Sequence, residues 1–215
     1  MRDTLILFDF DDTIMDTEVA ILRSYEELFR RYRTVEEFTR EKQISVLGPT
    51  IEEMMRTFFP EQDPSRLQQE YRSYQNEHME ELVKPMEGAV ELLYWLKEEG
   101  YVCGIVSSRR STSLNYILDF TGLGPFFSLQ VCHNHVEHEK PHPEGILKAR
   151  ELHPSKDCIY IGDSPTDIEA GKNAGVKTIA CLFTKEKEEP LREEHADYYV
   201  EKLLDIKDIL REIER

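Results

Sequence analysis

Five short runs of almost unbroken apolar residues punctuate the chain: Leu5–Phe8, Val102–Val106, Leu129–Cys132, Cys158–Ile161 and Val176–Phe183. A strand wetted on one face alternates apolar with polar positions. Runs as uniform as these suit parallel strands covered on both faces. Helical patterns separate them. After Gly88, Ala89, Leu92, Leu93 and Leu96 keep helical spacing, and Gly100 is placed to stop that helix. Ser111 is positioned to cap a helix carrying Leu114, Ile117 and Leu118. Ser164-Pro165-Thr166-Asp167 reads as an N-cap, a proline in the first turn and an acid at the third position, with Gly175 as terminator. Strands that alternate with helices predict βαβ units and an α/β fold, a Rossmann-like doubly wound parallel sheet.

One stretch breaks the rhythm. From about Asp16 to Leu82 only helical patterns occur. One stripe carries Ile21, Leu22, Tyr25, Leu28 and Phe29. A second begins at Thr50, with Glu53 at capping-box spacing, and carries Met54, Met55 and Phe58. A third runs through Leu67, Tyr71, Tyr74, His78 and Leu82. The economical organisation is an α/β core built from residues 1–15 and 83–215, with residues 16–82 inserted as an all-helical domain. Such an insertion is expected to stand over the carboxyl ends of the strands, where α/β sheets bind ligands.

Composition narrows the functional classes. The 215 residues hold 27 Lys and Arg against 43 Asp and Glu, a net charge of −16, and are 40% hydrophobic and 33% charged. That is enough apolar material for a core. The negative field repels phosphate backbones and anionic lipid surfaces, so nucleic acid and membranes are poor partners. No apolar run approaches the roughly 18 residues of a membrane span. The N-terminus lacks the long apolar core of a secretory signal. Cys103, Cys132, Cys158 and Cys181 form no CxxC pair, and each lies in or beside an apolar run, as small buried strand residues do. These features predict a soluble cytoplasmic protein, a monomer or homodimer.

The first apolar run ends in Asp9-Phe10-Asp11-Asp12-Thr13. Three carboxylates in four residues are costly unless a cation sits among them. An EF-hand loop is excluded: counting from Asp9, Ile14 stands where that loop needs glycine and Ala20 where it needs glutamate. A second acidic group, Gly162-Asp163-Ser164-Pro165-Thr166-Asp167, again follows an apolar run. Between the two lie a strand ending in Ser107-Ser108-Arg109 and a Lys140-Pro141 pair. His133, His135, His138 and His142 surround that lysine, at a spacing that matches no standard zinc pattern.

The ordered set DFDDT, IVSS, EKP and GDSPTD resembles the haloacid dehalogenase superfamily, and the resemblance covers essentially the whole chain. The helical stretch after the first motif is similar to the small cap of the phosphoglycolate phosphatase and β-phosphoglucomutase branch. Two departures stand out: Asp12 where the family usually carries glycine, and a histidine-rich context before Lys140.

The resemblance implies phosphoryl transfer, a chemistry that suits these residues. It needs an in-line nucleophile, an acid for the leaving oxygen, and positive charge around the transferred group. Asp9 is expected to attack phosphorus, and Asp11 to protonate the leaving oxygen and later activate water. Mg²⁺ would be held by Asp9, the main-chain carbonyl of Asp11 and Asp163, with Asp167 as a ligand or a partner behind the ligands. Thr13 is expected to hold the turn. Together with Ser107, Ser108, Arg109 and Lys140 it would line the phosphate site. The expected activity is a Mg²⁺-dependent phosphatase acting on a small phosphate monoester. A phosphomutase, a pyrophosphatase or nucleotidase, and a non-enzymatic binding protein on the same fold remain open.

Overall fold

The computed structural model describes residues 2–47 and 50–213. Contacts divide the chain into two compact units, Met1–Asp16 with Pro85–Arg215, and Thr17–Lys84.

The first unit is built on a six-stranded sheet: β1 (Thr4–Phe8), β2 (Val102–Ser107), β3 (Leu129–Cys132), β4 (Asp157–Gly162), β5 (Lys177–Cys181) and β6 (Tyr198–Val200). All neighbours are parallel, and the order is β3-β2-β1-β4-β5-β6. The order reverses between β1 and β4, the switch point at which doubly wound sheets open a crevice beyond their carboxyl ends. The uniformly apolar runs follow from two-sided burial. Leu5 and Leu7 of β1 pack with Ile146 and Ala149 of the helix Glu144–Leu152 and with Ala170 of the helix Pro165–Asn173. Ile6 and Phe8, which point to the opposite face, are just as completely buried.

Helix boundaries fall where the caps placed them. Ala89–Glu98 ends before Gly100, whose φ is +80°. Pro165–Asn173 starts after Ser164 and ends ahead of Gly175, at φ +66°. Two expectations need correction. Ser111 is the first helical residue of Ser111–Thr121, not its cap. The Asn134 side chain accepts from the Ser111 amide (2.9 Å) and donates to its hydroxyl (3.1 Å), so a residue remote in sequence does the capping. The sheet also has a sixth strand. Tyr198–Val200 forms it, and three residues are too few to show a period.

The second unit is all-helical: Glu18–Tyr32, Arg40–Ser45, Ile51–Phe58 and Pro64–Leu82. Tyr25, Leu28, Phe29, Met55, Phe59, Leu67 and Tyr71 form its core. Phe29 stacks on Phe38 at 4.9 Å and Tyr25 meets Tyr71 at 5.0 Å. Tyr71 is therefore a packing residue; Tyr74 and His78 stack on each other, half-buried, at 4.2 Å. No described helix is long and apolar enough to cross a membrane. All four cysteines are buried free thiols in strands, and burial pushes the Cys103 thiol up to about 12.

Candidate active site

Asp9 is the first residue beyond β1, and its amide donates to the Ile161 carbonyl of β4 (2.8 Å), prolonging the sheet by one rung. This places its side chain at the switch point, next to Asp163 at the end of β4. The chain then turns sharply: the Ile14 and Met15 amides both donate to the Phe10 carbonyl (3.1 and 2.9 Å). Asp12 takes a left-handed conformation at φ +56°, which aspartate tolerates better than most residues. The turn brings Thr13, fully buried, back toward the sheet, where its hydroxyl donates to Asp163 Oδ1 (2.8 Å). Thr13 thus anchors a carboxylate of the cluster.

Lys140 Nζ donates to Asp9 Oδ1 and to Asp167 Oδ1, both at 2.6 Å. Asp167 is completely buried and its oxygens are committed. Oδ1 also accepts from Tyr160 Oη (3.1 Å), and Oδ2 accepts from the Ser164 amide (3.1 Å) and hydroxyl (2.6 Å). The third-position acid of the capping box therefore also holds the lysine in place. One oxygen from each of Asp9, Asp163 and Asp167 lies within 4.8 Å of the others.

On the neighbouring strand end, Ser107 Oγ accepts from the Arg109 amide (3.1 Å), leaving its hydroxyl proton to donate. Ser107, Ser108 and Lys140 line a small cleft together with His133, His138 and His142. Arg109 reaches Asp11: its Nε lies 3.1 Å from both oxygens of that carboxylate, and a terminal nitrogen pairs with Asp11 Oδ1. Asp11's carboxylate accordingly stands with Arg109, outside the three acids that gather; the metal role expected of Asp11 concerned its main-chain carbonyl.

Two residues escaped the sequence. Lys187 pairs with Asp163 Oδ2 and lies 3.5 Å from Asp12 Oδ2. It sits in a charged helix, Lys185–Glu193, that carries no motif. Tyr160 is interior to β4, where an apolar run conceals its hydroxyl, which reaches Val106 O (3.0 Å) as well as Asp167.

The electrostatics show a site short of positive charge. Asp9, Asp11, Asp12, Asp163 and Asp167 meet Arg109, Lys140 and Lys187. Burial lifts the Asp9 carboxyl well above the usual range; Lys140 opposes this, while Asp167 and Asp163 add to it. Burial likewise lifts Asp163 to about 6 against the pull of Lys187. Burial works against charge on Lys140, but Asp167 and Asp9 hold the ammonium above its ordinary range. Among the described residues the acids of the site outnumber its bases five to three, and hard carboxylate oxygens are the donors a small divalent cation takes. The residues fit such an ion.

The histidine run forms a second group. His138, His142 and Glu144 each offer one atom within 4.8 Å of the others. Glu144, however, accepts from Lys148 Nζ (2.7 Å), the Glu137 and His138 amides (3.0 Å each) and His138 Nδ1 (3.1 Å), and the Lys148 contact leads in pushing its carboxyl down to about 2. It ties the loop together.

Known proteins give the same picture. The family profile described as haloacid dehalogenase-like hydrolase matches residues 6–181. The pyrophosphatase PpaX of Bacillus mycoides is 33% identical over 218 residues, 99% of each chain. A haloacid dehalogenase-like family hydrolase of Streptococcus pneumoniae superposes with a TM-score of 0.85 at 21% identity, covering 96% of this chain and 98% of its own. A Haemophilus somnus structure described as "a predicted phosphoglycolate phosphatase" gives 0.80 at 18% identity, covering 98% and 99%. With the profile running from the first strand to the fifth, across every residue of the acidic cluster, the chain belongs to the haloacid dehalogenase-like hydrolases.

Proposed function

We propose that this chain is a Mg²⁺-dependent phosphatase that cleaves a small phosphate ester or anhydride through an aspartyl phosphate on Asp9, with pyrophosphate the leading substrate. The observation that carries the reading is the buried line Asp9–Lys140–Asp167 beside Asp163 at the switch point: a strand-end nucleophile, a fixed cation and an acid set that outnumbers the described cations. The pyrophosphatase relative, matched end to end, supports pyrophosphate.

Asp9 forms the bond to phosphorus as the bridging P–O bond breaks in line, and the electron pair leaves with the bridging oxygen. Asp11 gives that oxygen its proton, then takes one from the water that cleaves the acyl phosphate and releases inorganic phosphate. Ser107 donates to a phosphoryl oxygen and Lys140 offsets its charge, while Asp167 and Tyr160 hold the lysine in line. Asp9, Asp163 and the Asp11 carbonyl would hold Mg²⁺, which supplies positive charge to the transferring oxygens and to the acids themselves. Free buried thiols fit a reducing compartment, the cytoplasm.

Phosphate release from pyrophosphate and a panel of small esters, with Mg²⁺ and with EDTA, tests this on the native protein and Asp9→Asn. The expected result is metal-dependent release that Asp9→Asn abolishes. Release that survives Asp9→Asn, or none from any compound by folded protein, overturns it.

A further inference from the structure

We infer that His138 and His142, backed by Glu144, form a second metal site, one for a late divalent transition ion such as Zn²⁺ rather than for Mg²⁺. The site is separate from the acidic cluster and does not depend on the proposed reaction.

A turn, not a helix, brings the two histidines together. The His142 amide donates to the Glu139 carbonyl (2.9 Å), and the chain folds back until the two imidazole centroids lie 4.5 Å apart. His138, His142 and Glu144 each offer an atom within 4.8 Å of the other two, and both rings are exposed, so an ion reaches them from solvent. Lys140 lies between the histidines in the sequence, but its ammonium is committed to Asp9 and Asp167.

Glu144 acts from behind the ring. Its oxygens already accept four bonds: Oε1 takes the Glu137 amide and Lys148 Nζ, and Oε2 takes the His138 amide and His138 Nδ1. An ionised carboxylate only accepts, so the His138 proton is on Nδ1 and the Nε2 lone pair is left for a cation. A carboxylate placed this way fixes the tautomer and orientation of a ligating histidine and raises its basicity. His142 Nδ1 accepts from the Glu144 amide at 3.3 Å, a long, exposed contact that costs little to exchange for a metal bond. Among the described residues no group is hydrogen-bonded to Nε2 of either ring.

The donor atoms decide the ion. Imidazole nitrogen suits Zn²⁺, Ni²⁺ and Cu²⁺, whereas Mg²⁺ takes oxygen. Thiolates would draw the same ions, but the four cysteines are buried in strands. Two histidines leave the other positions of a tetrahedron to water. Both rings line the cleft that Ser107, Ser108 and Lys140 share, so a bound ion adds positive charge there. The chain thereby gains a response to a metal that its acids do not select.

The test is calorimetric titration of the whole chain with Zn²⁺ at saturating Mg²⁺, which keeps the acidic cluster occupied. The expected result is one Zn²⁺ per chain, with an affinity unchanged in Asp163→Asn. Glu144→Gln, verified as folded by its melting curve, should bind roughly tenfold to a hundredfold more weakly. His138→Gln and His142→Gln, which remove ligands at exposed positions, should bind more weakly still. In the native protein, nitrogen NMR of the histidine side chains should show His138 and His142 shifting with Zn²⁺ while His78, His153 and His195 stay in place. No Zn²⁺ uptake at saturating Mg²⁺, uptake that either histidine substitution leaves intact, uptake lost in Asp163→Asn, or shifts confined to other histidines overturns the inference. No part of the test needs turnover, so its failure and the failure of the phosphatase reading are distinguishable.

Discussion

Asp12 and Lys187 explain each other. An aspartate at position 12 adds a fifth acid to an already crowded site, and a lysine 175 positions later supplies a cation between that acid and Asp163. Lys187→Met should therefore destabilise the metal-free protein, because two acids lose a shared partner in a poorly solvated place. Mg²⁺ should then raise the melting temperature of the variant more than that of the native protein, since the ion makes up a larger deficit. Melting curves in EDTA and in Mg²⁺ decide this, and a smaller Mg²⁺ shift in the variant would count against the charge argument. Tyr160 poses a narrower question: one hydroxyl proton faces Val106 O and Asp167 Oδ1. Tyr160→Phe should cost about 1 kcal/mol in denaturant unfolding and lower kcat with little change in KM, because the phenol supports Lys140's partner without touching substrate. A change confined to KM would show otherwise. Neither residue was legible in the sequence, and the reason is the same. Asp9, Asp163 and Asp167 announce themselves by local composition, as acids after apolar strands, and Lys140 by its place in the ordered set of motifs that resembles the family. Tyr160 and Lys187 act through contacts that only the folded chain creates.

At the scale of elements, the legible features were those with a local cause. Five strands showed as apolar runs, and Ser164 with Asp167 showed as a capping box that the fold retains. The sixth strand and the true cap of Ser111–Thr121 depend on neighbours far along the chain, and no local pattern reports them. Gly162 belongs with the hidden features, for its importance lies in what a side chain would strike. A Cβ there would fall 2.4 Å from Asp167 Cβ and 2.6 Å from its Oδ2. Strand and helix approach this closely because the glycine leaves room, and that closeness brings Asp167 within reach of Lys140. Gly162→Ala should consequently push Asp167 off the lysine and cut kcat by roughly a hundredfold or more, the scale of losing a fixed charge stabiliser. It should also lower stability by about 1–3 kcal/mol through overpacking. Kinetics and urea unfolding measure both. Full activity in Gly162→Ala would mean that the Asp167–Lys140 contact is dispensable.

For the molecule as a whole, one buried acidic site has a charge state that depends on pH. In the folded chain the Asp163 carboxyl is lifted by burial from 3.8 to about 6, against the pull of Lys187. The folded state therefore holds this proton more tightly than the unfolded one. Stability from this source is fully present below the ordinary aspartate range and is lost as the pH rises through about 6, by on the order of 3 kcal/mol. Burial acts in the same direction on Asp9. A divalent ion needs the ionised carboxylates, so its stabilising effect should grow over the same interval in which the metal-free protein weakens. The expected outcome is a larger Mg²⁺-induced rise in melting temperature at pH 7.5 than at pH 5, at constant ionic strength. General relief of the −16 charge would mimic this, but monovalent salt would produce that relief equally well, and it would persist in Asp163→Asn. A site effect should vanish in that variant, whose neutral side chain neither titrates here nor offers the ion a charged oxygen. A Mg²⁺ shift that is the same at both pH values in the native protein would separate the titration of Asp163 from metal binding and remove it from the ion's ligands.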